Sequence, residues 1–482
     1  MQQTLFIGFL FVGLVVAALL MVVTATSTVH IAKRWTGGIL QYFFYALFIS
    51  NSIMALLSGR DLTGVVLPDA SMEGTNPFVS WSIRASSLFL LLAALDQFVR
   101  FFRRKPPIEA ARAALIAGIV LLWLTNILAP AFWSAHPIDF YYQWIYQPVL
   151  FIGLLCLSAE NGKMVVRHCR NAVFGFCLGS LLLALVQPSM AVNTHYERGL
   201  LAHLPRLTGL ATHPVTMGMI AAVGLWCLVY APFRSRIWMG FALLTCGTAL
   251  LLSQSKTTWA GVALGIPVLV YYRHRARSSA GLLDRRMTAK FALFLVFGLA
   301  MLLVLLTATM LGVADGRMDQ FTKSEMGAQM LSLTGRDTIW EIALDEWRRS
   351  PVFGYGLSLF DLSYRLQIGM LFATDGHNQF YDALGRAGLV GATGAIIYCG
   401  IIGWLGIKYS HASSGLSLIL AISLLLRTVS EVPFTLHVTN LSDTAHYLLI
   451  CVMVSCMPGT TTGRMPERHA AATGLHTSLK PR

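Results

Sequence analysis

The chain has 482 residues, of which 56% are apolar and 12% charged, with a formal net charge of +14 and a mean hydropathy of +0.64. Water-soluble domains carry roughly a quarter of their residues as charged side chains, so that class is excluded, and apolar stretches recurring from end to end predict an all-α polytopic membrane protein. The alternating segments of a membrane β-barrel are absent, and the basic residues fall in short clusters between apolar stretches with no nucleic-acid module among them, which excludes nucleic acid as a partner.

About thirteen candidate spans read off in chain order, near residues 5–26, 36–58, 80–100, 111–133, 144–160, 171–192, 214–232, 237–254, 257–272, 291–313, 387–407, 415–434 and 441–457. Each approaches the roughly 20 residues a bilayer needs. The first has no Lys or Arg before it, and Lys33 and Arg34 follow it. A secretory signal has the opposite order, so the stretch reads as a retained helix that starts outside the cytoplasm. Basic connectors follow the odd-numbered spans: Lys33–Arg34, Arg103–Arg104–Lys105, Lys163/Arg167/Arg170, Arg234/Arg236, and the run from Arg273 through Arg277 to Arg285–Arg286 and Lys290. The positive-inside rule makes these cytoplasmic. The Thr/Ala-rich tail 458–482 reads as a disordered cytoplasmic segment. The eight cysteines include no C-x-x-C pair and read as buried small hydrophobes rather than a metal site or disulfide framework.

The remaining connectors face outward. Three stand out: 193–213, the short S-Q-S-K-T-T at 253–258, and a segment of about 65 residues from Ala314 to His377. Ordered loops of that length are usually functional. Within it, T-G-R-D-T-I-W-E-I-A-L-D-E-W-R-R-S-P-V-F-G-Y-G (334–356) predicts an amphipathic helix with Ile339, Ala343 and Trp347 on one stripe, Trp340 and Leu344 beside it, and Thr338 and Glu341 at capping-box spacing. Ser350–Pro351 ends it. It either lies along the membrane surface as a cap over a cavity or is a plain packing helix. Arg336 at its start either reaches an anion or is solvated.

The loop ends in D-G-H-N-Q-F-Y-D-A-L-G-R-A-G-L-V-G (375–391). If the next helix begins near Asn378, His377 sits at its N-terminal end, where the positive potential disfavours imidazolium. A neutral imidazole is a competent general base; the alternative is a hydrogen-bonded structural histidine. Gly388 and Gly391 admit a close neighbour. Arg427 and Glu431 stand one turn apart towards the outer half of the twelfth span; they form a mutual ion pair or line a cavity. Arg84 and Asp96 in the third span are less informative, Arg84 being placed to snorkel outward. His195 and His213 flank Arg206 and are alternative bases; His203, His437 and His446 read as structural or surface residues.

The H-N…G-L-V-G pattern (His377, Asn378, Gly388, Gly391) resembles the signature of the O-antigen ligase and Wzy-type polymerase superfamily. R-L-T-G-L-A-T-H-P-V-T-M-G (206–218), L-L-S-Q-S-K-T-T-W-A-G (251–261) and 334–356 resemble its other outer-face motifs, in the same order, over about half the chain. The resemblance implies a metal-independent, inverting glycosyltransferase of the bacterial inner membrane, with its active site on the periplasmic side and no cofactor. It implies an undecaprenyl-pyrophosphate-linked glycan as donor, a glycan or lipid A core as acceptor, and flippase and chain-length regulator proteins as partners. The absence of a D-x-D pair or a Gly-rich phosphate loop agrees with a donor that is not a nucleotide sugar. In this reading His377 is the base. Arg206, Lys256 and Arg336 hold pyrophosphate and stabilise the leaving charge, with Asn378, Arg427 and Glu431 as further substrate contacts. The implied division is 1–200 as N-terminal helices and 201–457 as the ligase/polymerase-like domain, including the periplasmic loop 314–377. Lys256 stands where ligases of the family carry Arg, which favours a polymerase, because Lys cannot grip pyrophosphate in a bidentate fork. A ligase is the alternative, followed by a transporter and a catalytically dead assembly partner.

Overall fold

A computed structural model describes residues 38–62, 77–106, 108–138, 141–193, 204–277, 336–371, 373–436 and 439–457. The spans expected near 5–26 and 291–313, Lys33–Arg34, the basic run beyond 277, residues 314–335 of the long loop, His195, His203, His437 and the tail 458–482 lie outside the described residues. The chain is an all-α polytopic membrane protein, and eleven of the expected spans appear as helices. The first five are α1 (Phe43–Leu57, entered through the 3-10 turn Ile39–Tyr42), α2 (Pro77–Arg104), α3 (Ala110–Trp133, with a π-helical turn at Leu124–Leu128), α4 (Tyr146–Leu155) and α5 (Ala159–Val186). A short antiparallel pair follows, β1 (Val192–Asn193) against β2 (Arg206–Leu207). Next come α6 (Pro214–Tyr230), α7 (Arg236–Ser253) and α8 (Lys256–Arg277). The outer segment holds α9 (Arg336–Arg349) and α10 (Leu362–Ile368), and the chain re-enters through α11 (Gln379–Lys408), α12 (Leu416–Ser430) and α13 (Thr444–Cys456). Six of these runs, α1 with its entering turn, α2, α3, α5, α7 and α11, are long and apolar enough to cross a bilayer.

The helix ends that carry the basic connectors lie together. At one end Arg112 bonds the carbonyl of Leu155, Arg170 that of Ala231, Arg273 that of Val229, and Tyr230 that of Ser414. Basic residues thus meet the C-terminal carbonyls of spans, where the helix dipole favours them. The four motif stretches gather at the opposite end. One boundary differs from expectation: α5 begins at Ala159 rather than 171, so Lys163, Arg167 and Arg170 stand on its first turns instead of in a loop. Ser158 caps it by accepting from Asn161 N at 3.3 Å, and long basic side chains can reach the polar surface from a projecting helix.

Lipid is as apolar as the side chains it faces, so close packing of small residues has to hold such helices together. A Cβ at Gly153 would stand 2.8 Å from that of Ala94, and one at Gly406 would stand 2.6 Å from that of Ala421. Tyr398 and Tyr447 are fully buried in the bundle, and Tyr398 Oη lies 2.5 Å from His446 Nε2, which makes His446 structural. All eight cysteines are free thiols; six are buried, and Cys399 and Cys456 are half-buried. In α2, Asp96 pairs with Arg100 at 2.7 Å, and Arg84 is exposed over the ring of Trp81.

The outer segment has its own small core of Ile339, Ala343, Leu359, Phe360, Tyr364 and Ala373. The stripe expected on α9 is therefore real, but Glu346 rather than Trp347 is its buried fourth member, bonded to Tyr364 and Arg349. The expected capping box does not form, because Thr338 lies within α9 rather than at its N-cap.

Candidate active site

The site grows from two tight connections. β2 is fastened by Arg60, whose guanidinium donates to the carbonyls of Met190 at 2.8 Å and Ala211 at 2.5 Å and also reaches that of Gly209. Three carbonyls on one half-buried fork hold the turn that presents Arg206 and His213. Arg206 Nε donates to Ser253 O at 3.1 Å, and Gln254 Nε2 donates to Leu204 O at 2.8 Å. The second connection is the α7–α8 turn itself. Gln254 adopts a left-handed conformation (φ 50) and α8 restarts at Lys256. Gly218 lets α6 touch this turn, since a Cβ there would stand 2.5 Å from Ser253 Oγ. Arg206 and Lys256 are thereby brought within electrostatic reach of each other.

The D-G-H-N stretch is clamped from several sides. Asn378 caps α11, its Oδ1 accepting from Phe380 N at 2.9 Å and Tyr381 N at 3.3 Å, while its Nδ2 donates to Val429 O at 3.1 Å. Gly376 N donates to Asp382 Oδ1 at 2.9 Å and Gly376 O accepts from Trp340 Nε1 at 2.9 Å. Trp340 also stacks on Tyr381 with ring centroids 5.0 Å apart. Between these anchors His377 is held at φ 44, with its N–H on Asp375 Oδ1 at 2.7 Å. A non-glycine residue pays about 1–3 kcal/mol for such a conformation, and that strain collects at functional positions.

The two glycine motifs meet through the backbone. Gly388 breaks α11 at φ 63 and ψ −156. The N–H groups released at the kink, those of Leu389 and Val390, donate to Pro351 O at 2.9 Å and Val352 O at 3.2 Å. The carbonyls of Gly385 and Arg386 accept from Tyr355 N at 2.8 Å and Gly356 N at 3.0 Å. The P-V-F-G-Y-G segment thus satisfies the polar groups that a kinked helix would otherwise leave unpaired. The close neighbours of the two glycines are accordingly this loop and, at Gly391, Asn126 of the π-helical turn, whose Nδ2 donates to Gly391 O at 3.1 Å.

Glu431 lies just beyond the end of α12 and is the electrostatic hub. Its Oε1 is 3.3 Å from Arg336 Nη2 and its Oε2 is 3.9 Å from His377 Nδ1. Burial alone would raise its pKa, but His377, Arg336 and His213 pull it down to about 2. Arg336 is not a solvated surface residue: besides Glu431 it donates to Ser430 O at 2.7 Å, closing the C-terminus of α12. The mutual Arg427–Glu431 pair expected from their spacing is not formed. Arg427 is buried, donates to Ser442 O at 3.0 Å, and lines a narrow cavity beneath the site with Trp226, Thr257, Thr258 and Ser423.

His377 departs from the expectation of a ring kept neutral by the helix end. Its Nδ1 is 3.3 Å from Asp375 Oδ1 as well as 3.9 Å from Glu431 Oε2. Burial lowers its pKa and Arg336 opposes the charge, but the two carboxylates outweigh both and the net shift is upward. Nδ1 faces the two carboxylates without a hydrogen bond to either, and Nε2 is the ring nitrogen left for an incoming hydroxyl. Asp375 itself is raised by burial and by Glu431 and Asp382, with His377 opposing. His213 caps α6, its Nδ1 accepting from Val215 N at 3.2 Å. The ring is exposed, and its surroundings lower its pKa, with Arg206, His377 and Arg336 adding to the shift and Glu431 opposing it.

The fold therefore brings Arg206, Lys256, Arg336, His377, Asn378 and Glu431 to one end of the bundle and leaves Arg427 below them. Thr257, next to Lys256, and Ser430, next to Glu431, tie the two halves together, their hydroxyls 2.9 Å apart. Asp375 joins the site without having been expected there, and its place two residues before His377 is the signal the sequence holds for it. The assembly offers a proton acceptor backed by carboxylates beside several fixed cations, a combination suited to transferring a group from an anionic leaving group to a hydroxyl.

Residues 241–396 match the family model described as Wzy_C, O-antigen ligase. The match runs from α7 into α11 and takes in three of the four motif stretches; 206–218 precedes it. No curated protein matches the chain.

Proposed function

We propose that this member of the O-antigen ligase and Wzy-type superfamily polymerises lipid-linked oligosaccharide repeats at the periplasmic face of the inner membrane. The observation that carries the reading is the His377–Glu431–Arg336 constellation, assembled from three separate elements beside Arg206 and Lys256.

His377 Nε2 takes the proton of the acceptor hydroxyl as the oxygen attacks the anomeric carbon. The bond from that carbon to the pyrophosphate oxygen breaks, and undecaprenyl pyrophosphate leaves with the electron pair. Attack opposite the leaving group inverts the sugar carbon. Arg206 and Lys256 hold the pyrophosphate, and fixed cations there stabilise the charge that builds on departure. Glu431 and Asp375 stabilise the imidazolium that forms. Arg336, committed to Glu431 and Ser430 O, acts on the leaving group through its field and keeps Glu431 in place. Asn378 fixes the loop that aims His377.

A ligase is the second reading, favoured by the description of the matching family. Lys256 argues for the polymerase, because a single ammonium lacks the bidentate grip of the Arg found in ligases. Proteoliposomes holding the purified protein and one lipid-linked repeat, with and without lipid A core, separate the two. A ladder from the repeat alone establishes a polymerase, and product that requires lipid A core establishes a ligase. His377→Ala abolishes transfer in either case; wild-type turnover in that variant would remove His377 as the base.

A further inference from the structure

Two imidazoles face the same cluster of charges, and their surroundings push them in opposite directions. His377 is backed by carboxylates. His213 lies among Arg206, His377 and Arg336, with Glu431 as the opposing charge. The ring of His213 is also committed at one nitrogen. Because Val215 N–H points at Nδ1 from 3.2 Å, Nδ1 must present its lone pair, and a neutral ring then carries its proton on Nε2. Among the described residues Nε2 has no hydrogen-bond partner, and the ring is open to solvent. The backbone holding it is rigid. Pro214 opens α6, Gly218 packs against the Ser253–Ser255 turn, and Arg60 fixes the carbonyls of Gly209 and Ala211 just before it.

We propose that His213 is a second substrate-touching imidazole, locked in its Nε2–H tautomer, which donates a hydrogen bond to a pyrophosphate oxygen of the lipid-linked donor beside Arg206 and Lys256. The proposal rests on the reaction put forward above. It divides the labour between the rings: His377 takes up a proton, and His213 donates a hydrogen bond without titrating. A neutral donor also adds no positive charge to a site that already contains Arg206, Lys256 and Arg336, so product pyrophosphate is recognised without being held too tightly to leave.

The experiment measures binding of undecaprenyl pyrophosphate to the full-length protein in nanodiscs, for wild type, His213→Asn and His213→Gln, with melting temperatures alongside. Asn keeps an oxygen where Nδ1 accepts, so the α6 cap survives while the distal donor is lost. Gln places an amide nitrogen near the position of Nε2. Hydrogen bonds to charged groups imply a loss of about 10- to 100-fold in affinity for His213→Asn, at unchanged melting temperature, with part of it recovered in His213→Gln. Equal binding by wild type and His213→Asn would show that the residue is a helix cap and nothing more. Gln no better than Asn, with both folded as wild type is, would equally overturn the donor role. If wild type itself binds no undecaprenyl pyrophosphate, the glycosyltransferase reading fails and this proposal falls with it; the wild-type arm alone reports that case.

Discussion

Arg336 and Glu431, 95 residues apart in sequence, meet at 3.3 Å, while Arg427, four residues before Glu431 in the last turn of α12, turns away to Ser442 O. The i,i+4 spacing is thus overruled by a partner from the outer segment, and the pairing fastens α9 to the end of α12. Arg336→Met should remove both this contact and the bond to Ser430 O, leaving Glu431 largely buried without its main cation. Hydrogen bonds to charged groups are each worth about 1.5–3 kcal/mol, and partial exposure of both side chains places the loss at the lower end of that range. A double-mutant cycle with Glu431→Gln, read by thermal unfolding in detergent, checks it; additive effects would show that the two residues do not interact.

The carboxylates around His377 set a pH dependence. The ring must be neutral to accept a proton, and its pKa lies above the ordinary 6.5. The acid limb of kcat/KM therefore falls above 6.5, and activity rises as the pH passes through it. Glu431, at about 2, contributes no limb there. Stability moves the other way. A folded pKa above the unfolded value contributes stability that is fully present below the unfolded pKa and lost as pH rises through the folded one. Removing the charge with Glu431→Gln or Asp375→Asn should move the acid limb to lower pH. A limb that stays in place in both variants would mean another group controls it.

Much of this arrangement was legible because it is local. Alternating basic connectors fix which end of each helix is which, and the observed contacts of Arg112, Arg170 and Arg273 agree with that order. Asn378 as a cap, with His377 just ahead of it, follows from residue type and position. Several of the misses depend on distant partners. The neutral His377 was argued from its own helix end, whereas the ring answers to Asp375 and to Glu431, 54 positions later. The Thr338–Glu341 box was inferred from spacing alone, and spacing does not locate the start of a helix that Arg336 anchors to α12. Gly388 was read as a packing glycine, although its main task is a kink whose hydrogen bonds are supplied by Pro351–Gly356.

Asn378 joins two functions that substitution can separate. Asn378→Asp keeps an N-cap acceptor for Phe380 N and Tyr381 N, and an anion at a helix N-terminus is favourable. It loses the Nδ2 donor to Val429 O, however, and adds a carboxylate next to His377. The expectation is a near-native melting temperature with transfer reduced and its acid limb shifted to higher pH. Asn378→Ala loses cap and tie together and should cost about 1 kcal/mol through the cap alone. An Asp variant as active as wild type, with the same pH profile, would show that the link to Val429 does not position His377.

Gly388 should be among the least replaceable residues of the site. Its φ of 63 with ψ of −156 belongs to a region essentially confined to glycine. A Cβ there would also stand 2.4 Å from the backbone carbon and oxygen of Val352. Gly388→Ala must therefore either hold a conformation costing about 1–3 kcal/mol or straighten the helix. Straightening would withdraw the N–H groups of Leu389 and Val390 from Pro351 and Val352, unseat the loop and tilt the helical segment that carries Asn378 and its neighbour His377. The variant is expected to melt several degrees lower and to lose transfer out of proportion to its loss of folded protein. Gly400→Ala, in the same helix and with nothing within 4 Å of the added carbon, serves as the matched control and should behave as wild type. Equal behaviour of the two variants would mean that the kink does not set the position of His377.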